Sequence, residues 1–351
     1  MRGSRTALIA TAAVSALAVA TTAPSWATAV PSEPIVSGLA GPLQLDVGSN
    51  GQIYTGQSFA GLLTKVRPNG TTKDLVAEPG EVAGVASNGY DVAYTFTGGD
   101  EEHPIALLKR RFANGTVRTV ANLGAYEKKH NPDARNTYGF RNLSETCAAQ
   151  VPAEVGGYPY TGLVDSHPYA LASDGDGGWY VADAGGNDIL HVTKSGRISV
   201  VIVIRPQKTT ITADAAEAFG LPDCVIGKTY AFEPVPTDVE VTKLGFLMVS
   251  LLPGGPEDAS LGARGAVMRV GGDGGFSVLA RGFLGATNLA VGPGGRIYVS
   301  EMFANRISML HNGVVTTVAD VPTPAGLEYA NGTLYAAVDV FANGSIVTIT
   351  P

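Results

Sequence analysis

The sequence predicts an all-β fold, a six-bladed β-propeller closed by its N-terminal strand pairing with the last blade. Three observations predict it. A unit of four short strands can be laid down six times, from Pro42, Val82, Pro168, Pro236, Ala286 and Pro324. With 45 Gly and 21 Pro in 351 residues, long helices are disfavoured, whereas a 45% hydrophobic content is ample for a core. Finally, the sixth unit stops after three strands at "SIVTITP", while "PIVSGL" near the N-terminus is a fourth strand with no unit of its own.

Residues 1–29 precede the repeats and read as an export signal. Arg2 and Arg5 are followed by the apolar run "ALIATAAVSALAVA" and the small residues of "PSWATA", with cleavage expected after Ala27-Thr28-Ala29. That run is short and Ala-rich for a permanent span, and no later segment is long enough for one. Residues 30–351 are then a single exported propeller, extracellular or in the cell envelope, and monomeric. Loss of two arginines and no acid takes the formal net charge from -7 to -9. An acidic chain with scattered Lys and Arg gives no electrostatic reason for nucleic acid or an anionic membrane as partner.

Within each unit the second strand is the most regular: "QIYTG", "DVAYTF", "WYVAD", "FLMVS", "RIYVS" and "TLYAAV". The third and fourth strands meet at "PNGTTKDLV", "ANGTVRTVA", "KSGRISVVI", "GDGGFSVLA" and "HNGVVTTVA". Asn-Gly and its relatives supply the positive φ of tight hairpin turns. The glycosylation-like triplets at Asn69, Asn114, Asn142, Asn331 and Asn343 are therefore mostly turns. "DGDGG" at 174–178 is not a calcium loop, because Gly185 stands where an EF-hand needs its last acid. The segment 35–55, "IVSGLAGPLQLDVGSNGQIYT", aligns without a gap on 279–299, "LARGFLGATNLAVGPGGRIYV". The opening "IVSGL" is thus the tail of a unit, which is what ring closure by the first strand requires.

Alternation along each first strand separates blade core from channel lining. The lining forms an upper ring of Gln44, Gly84, Ala170, Asp238, Asn288 and Gly326, and a lower ring of Asp46, Ala86, Ala172, Glu240, Ala290 and Glu328. The acidic members Asp46, Asp238, Glu240 and Glu328 could hold a divalent cation such as calcium. The plainer account, which the sequence favours, is solvated carboxylates with no metal and no cofactor.

Three insertions interrupt the repeat, at 124–165, 205–235 and 253–264. The up-and-down strand order sends all three to one face, where binding groups on a rigid scaffold usually sit. Cys147 and Cys224, the only cysteines, fall in the first two, so a disulfide between them is expected in an oxidising compartment. Tyr126, Tyr138, Phe140, Tyr158, Tyr160, Tyr230 and Phe232 crowd the same insertions, either to pack the loops together or as a lid over an apolar or carbohydrate ligand.

"GGWYVADAGGNDILHV" and "GGRIYVSEMFANRIS" resemble the NHL-type blade, in which an acid ends the second strand and an Asn follows in the loop. Those positions are Asp183 with Asn187, and Glu301 with Asn305, and such pairs commonly serve the loop backbone. Over nearly the whole exported chain, "YEKKHNPDA", "VDSHPYALASDGDGGWYVADAGGNDILHV", "VPTDVEV" and "SLLPGGPEDASLGARGAVMRV" resemble the ScyD/ScyE family of exported bacterial propellers. The resemblance implies export and a propeller, and no reaction. More distantly, the pattern is similar to lactonase and strictosidine-synthase propellers, whose metal-site residues cannot be placed here.

No G-x-S-x-G elbow, H-E-x-x-H helix, Walker loop or Rossmann fingerprint is present. Of five histidines, His167 beside Asp165 is the one placed at the insertion end of a channel strand, as a loop hydrogen bond or a general base. His167, Asp165, Asp183, Asn187, Asp238, Asn288 and Glu301 are thus the candidate ligand-binding residues. The expected function is a binding or scaffold module using the insertion face and the channel mouth beside His167. A small molecule, a glycan or a protein is the expected partner. The alternative is a metal-assisted hydrolase or lactonase, lyase or oxidoreductase at that mouth.

Overall fold

The computed structural model describes residues 28–100, 102–272 and 274–351, so all of the expected export signal except Thr28 and Ala29 lies outside the described residues. It contains seven four-stranded antiparallel sheets, an all-β architecture consistent with a β-propeller. Six sheets begin with the strands Gln44–Val47, Glu81–Asn88, Pro168–Ser173, Pro236–Val241, Ala286–Val291 and Leu327–Ala330. Each of these strands lies against the next, and Leu327–Ala330 lies against Gln44–Val47.

Val36–Leu39 pairs antiparallel with Gly344–Ile349, Val36 opposite Ile346 and Leu39 opposite Gly344. It supplies the fourth strand that the final unit lacks. The Gly of the N-G and S-G turns adopt the expected positive φ, among them Gly70, Gly115, Gly196 and Gly313. Apolar residues at alternate strand positions meet between neighbouring sheets. Leu289, Val299 and Leu310 pack with Val267 and Phe283 of the preceding sheet, for example.

The insertions are more ordered than loops. Strands from the first two, Tyr160–Thr161, Thr137–Phe140, Thr229–Phe232 and Gln207–Thr210, form a seventh sheet that the repeat did not foretell. Each of the two insertions contributes an antiparallel pair of strands, and the pairs join only where Thr137–Phe140 meets Thr229–Phe232, so no local pattern announced it. Helices Leu123–His130, Glu145–Ala148 and Ala213–Ala218 complete this cap, each capped by a side chain: Asn122, Ser144 and Thr212. Cys147 and Cys224 are joined in a disulfide. The bond lies in an apolar cluster of Phe140, Val151, Ile211, Val225 and Phe232, onto which Leu261 of the third insertion packs. No described helix is long and apolar enough to cross a membrane.

Candidate functional site

The channel is plugged at the end facing the cap. Asn288 Nδ2 donates to Gln44 Oε1 at 2.7 Å, and Gln44 Nε2 crosses to the carbonyl of Thr237 at 3.0 Å. Asn288 Oδ1 accepts the N–H of Leu327, and Asp238 accepts those of Val239 and Leu289. Gln44, Asp238 and Asn288 are all buried. Tyr169 leans from the third unit onto the cluster around Leu43, Leu45 and Met302.

Gly and Ala fill the rest of the upper ring because the strands approach too closely for more. A Cβ on Gly84 would stand 2.9 Å from the Ala170 backbone, and one on Gly326 3.0 Å from Leu45 N. A one-residue bulge at Tyr169, Thr237 and Thr287 re-aims three of the six first strands at their cap ends. Sequence alternation carries no trace of it.

Gln44 and Asn288 thus bridge the channel at the end where a mouth beside His167 is expected. A cavity of about 210 Å³ lies on the other side of the plug. Its walls include Asp46, Glu240 and Glu328, with Gln44, Asp238 and Asn288 at its inner end. Glu240 and Glu328 also line a groove of about 710 Å³ with Leu244, Phe246, Arg269 and Tyr329, on the tight-turn face.

Burial pushes the four channel carboxyls up. Asp238 reaches about 7, Asp46 is raised, and Glu240 and Glu328 are raised well above their ordinary value, helped by repulsion within the ring. Asp46 remains tied to the next sheet by accepting the N–H of Ser87 at 2.6 Å.

Three of the other candidates hold the fold. Asp183 accepts from the backbone N–H of His167 and Gly186 and from the Ser166 hydroxyl. Glu301 accepts the Leu284 N–H, the Ser308 hydroxyl and a two-pronged bond from Arg306. Asn187, left-handed at φ 53°, accepts the Val235 N–H on its side-chain oxygen and donates to Asp133. His167 Nε2 meets Glu81 at 2.5 Å. Burial lowers its pKa, but Glu81, Asp183 and Asp165 outweigh that and raise it overall. Asp165 is exposed nearby.

What sequence reasoning missed is a cavity inside the cap. It holds about 330 Å³ and is lined by residues of all three insertions, among them Phe140, Tyr160, Ile211, Tyr230, Phe232 and Leu261. Tyr230 stands edge-on to Phe140 at 4.8 Å and tilts against Phe232 at 4.4 Å. Two carboxylates, Glu154 and Glu233, also reach it. Glu233 accepts from the Tyr160 hydroxyl at 3.0 Å, and burial together with Glu233 keeps that phenol protonated. Arg264 braces the wall, its guanidinium 4.3 Å from the centre of the Phe232 ring and bonded to the Gly254 carbonyl at 2.8 Å. The crowd of loop aromatics was the signal available, but only folding shows which of them share one cavity.

No family model matches the chain, and no curated protein matches it in sequence. Solved structures do share its fold. The chain is similar to the PQQ-bound aldose sugar dehydrogenase of Streptomyces coelicolor, with a TM-score of 0.54 and 12% identity over 93% of this chain and 99% of that one. It is also similar to an inactive virginiamycin B lyase from Staphylococcus aureus with quinupristin, TM-score 0.50 and 16% identity over 90% and 96%. The nidogen/laminin complex gives a TM-score of 0.50 and 11% identity over 82% and 85%. At these identities the likeness is one of fold, shared by enzymes and by a protein that docks another protein.

Proposed function

We propose that this is an exported six-bladed propeller of the ScyD/ScyE type, closed by Val36–Leu39, that binds a small amphipathic molecule within its cap. The observation that carries the reading is the 330 Å³ cavity walled by all three insertions. An apolar body would lie against Phe140, Tyr230, Phe232 and Leu261, while Glu154 and Glu233 would accept hydrogen bonds from an amine or hydroxyl. The disulfide supports the export half of this reading, since such bonds persist in oxidising compartments.

The enzyme alternative moves with the channel. A metal-assisted reaction would use Asp46, Glu240 and Glu328 in the cavity beneath the plug, remote from the cap and its aromatics. One variant separates the two readings. Leu261→Trp fills the cap cavity and leaves the channel intact. Compounds that raise the melting temperature of the parent in a screen of small aromatic amines and alcohols should fail to do so in this variant. Hits that survive Leu261→Trp and are lost in Glu240→Gln/Glu328→Gln would place binding at the channel and overturn the cap assignment.

A further inference from the structure

Two equivalent places in the repeat carry opposite charge patterns. In the sheet that begins at Ala286, Glu301 stands opposite Arg306 across the second and third strands. The guanidinium bonds both carboxylate oxygens, at 2.8 and 3.0 Å. In the sheet that begins at Pro168 the matching pair is Asp183 opposite Asp188. A second acid stands where its counterpart has a cation.

The first insertion deepens this excess. Glu127 comes from helix Leu123–His130 and Asp133 from the turn after it. Glu127, Asp133 and Asp188 are 4%, 1% and 1% exposed. Both carboxylate oxygens of Asp188, Oε1 of Glu127, Oδ1 of Asp133 and the amide Oδ1 of Asn131 have no hydrogen-bond partner. Glu127 Oε2 and Asp183 Cγ lie 3.5 and 3.4 Å from the point where a side chain on Gly186 would begin, so both face a spot that this glycine leaves free.

The groups sense one another. Burial, then Asp183, Asp133 and Asp165, push Glu127 up to about 8, and burial with Asp183, Glu127 and Asp133 raises Asp188 well above its usual range. Among the described ion pairs none reaches these four acids. Burying several carboxylates without a counter-ion is expensive, and among the described residues no guanidinium pairs with them.

We propose that a divalent cation, calcium by its donors, binds among Glu127, Asp133 and Asp188 with the Asn131 amide oxygen, in the place that Arg306 fills in the equivalent sheet. All four donors are oxygens, three of them anionic, which suits a hard cation of flexible coordination. As the side chains stand, no three His, Cys, Asp or Glu among the described residues are placed to hold a metal ion. Binding therefore draws Glu127 and Asp133 toward Asp188, and so ties the cap to the sheet beneath it.

Mature protein stripped with a chelator should bind one calcium ion by calorimetry. Its melting temperature should rise by about 5 °C with the ion at a hundredfold excess over its dissociation constant. Glu127→Gln/Asp188→Asn should lose both responses. Asp188→Arg, which restores the pattern of the other sheet, should fold and melt high without calcium. Glu240→Gln/Glu328→Gln, which removes channel acids only, should keep the full response. Absence of calorimetric binding to the stripped parent overturns the site even if the variants fail to fold. So does a calcium response that survives Glu127→Gln/Asp188→Asn or is lost in the channel variant, and a preference for magnesium overturns the assignment of the ion.

Discussion

Glu301 shows how an acidic residue in this fold can be structural. It is fully buried, yet both its oxygens are satisfied by Arg306, Ser308 and the Leu284 N–H. Truncating it would strand a buried N–H and hydroxyl, and leave Arg306, which is partly exposed, to turn toward water. Glu301→Ala should therefore cost about 3 kcal/mol in a urea titration, the loss of charge-assisted bonds in a buried site. Glu301→Gln, which still accepts hydrogen bonds, should cost less. Equal losses would mean that shape, not the bonds, sets the value. At Asp183 the sequence showed the same acid-then-Asn motif, and the backbone role was legible from it. The charge of the residue five positions on, Arg306 in one sheet and Asp188 in the other, was equally visible. Its meaning was not, because Glu127 and Asp133 join Asp188 only through the folded insertion.

Among elements, the strand Val36–Leu39 bears the greatest responsibility. It covers the edge of Gly344–Ile349, and the segment before it adds Ser32 N–H to the Thr348 carbonyl at 2.8 Å and Ile35 N–H to the Ile346 carbonyl at 2.8 Å. Removing residues 30–40 uncovers that edge and strips Leu39 and Ile35 from an apolar cluster with Leu43, Leu45 and Ile346. The truncated chain should fail to give a cooperative thermal transition, and an unchanged melting temperature would refute ring closure. This element was readable in advance, since a strand without a unit and a unit without a strand are both features of the linear repeat. The seventh sheet was not, because its pairing of Gly139 with Ala231 spans two insertions that share no period.

At the scale of the whole molecule, the channel links stability to pH. Asp46, Asp238, Glu240 and Glu328 have folded-state pKa values raised by burial, with Asp238 at about 7. The folded protein therefore holds protons that the unfolded chain releases near pH 4. The sign follows from that difference: the stabilisation is complete below the unfolded values and is lost as pH rises through the folded ones. The melting temperature should fall between pH 5 and pH 8, and Glu240→Gln should flatten the fall. A variant whose profile parallels the parent would show that these carboxylates do not set it.

The sequence by itself determined the turns, the pairing of Val36–Leu39 with the last strand and the disulfide partners, because each rests on local periodicity, on backbone freedom at glycine or on a count of two cysteines. It also gave the expected channel lining, since side chains alternate along a strand whatever surrounds it. Tertiary structure alone decided what bridges that channel. Gln44 and Asn288 are 244 residues apart in the chain, and their bond at 2.7 Å exists only once folding brings their strands together. The same holds for the cap cavity and for the acids around Asp188. Their chemistry depends on distances between residues that the chain keeps far apart and that folding alone brings within reach.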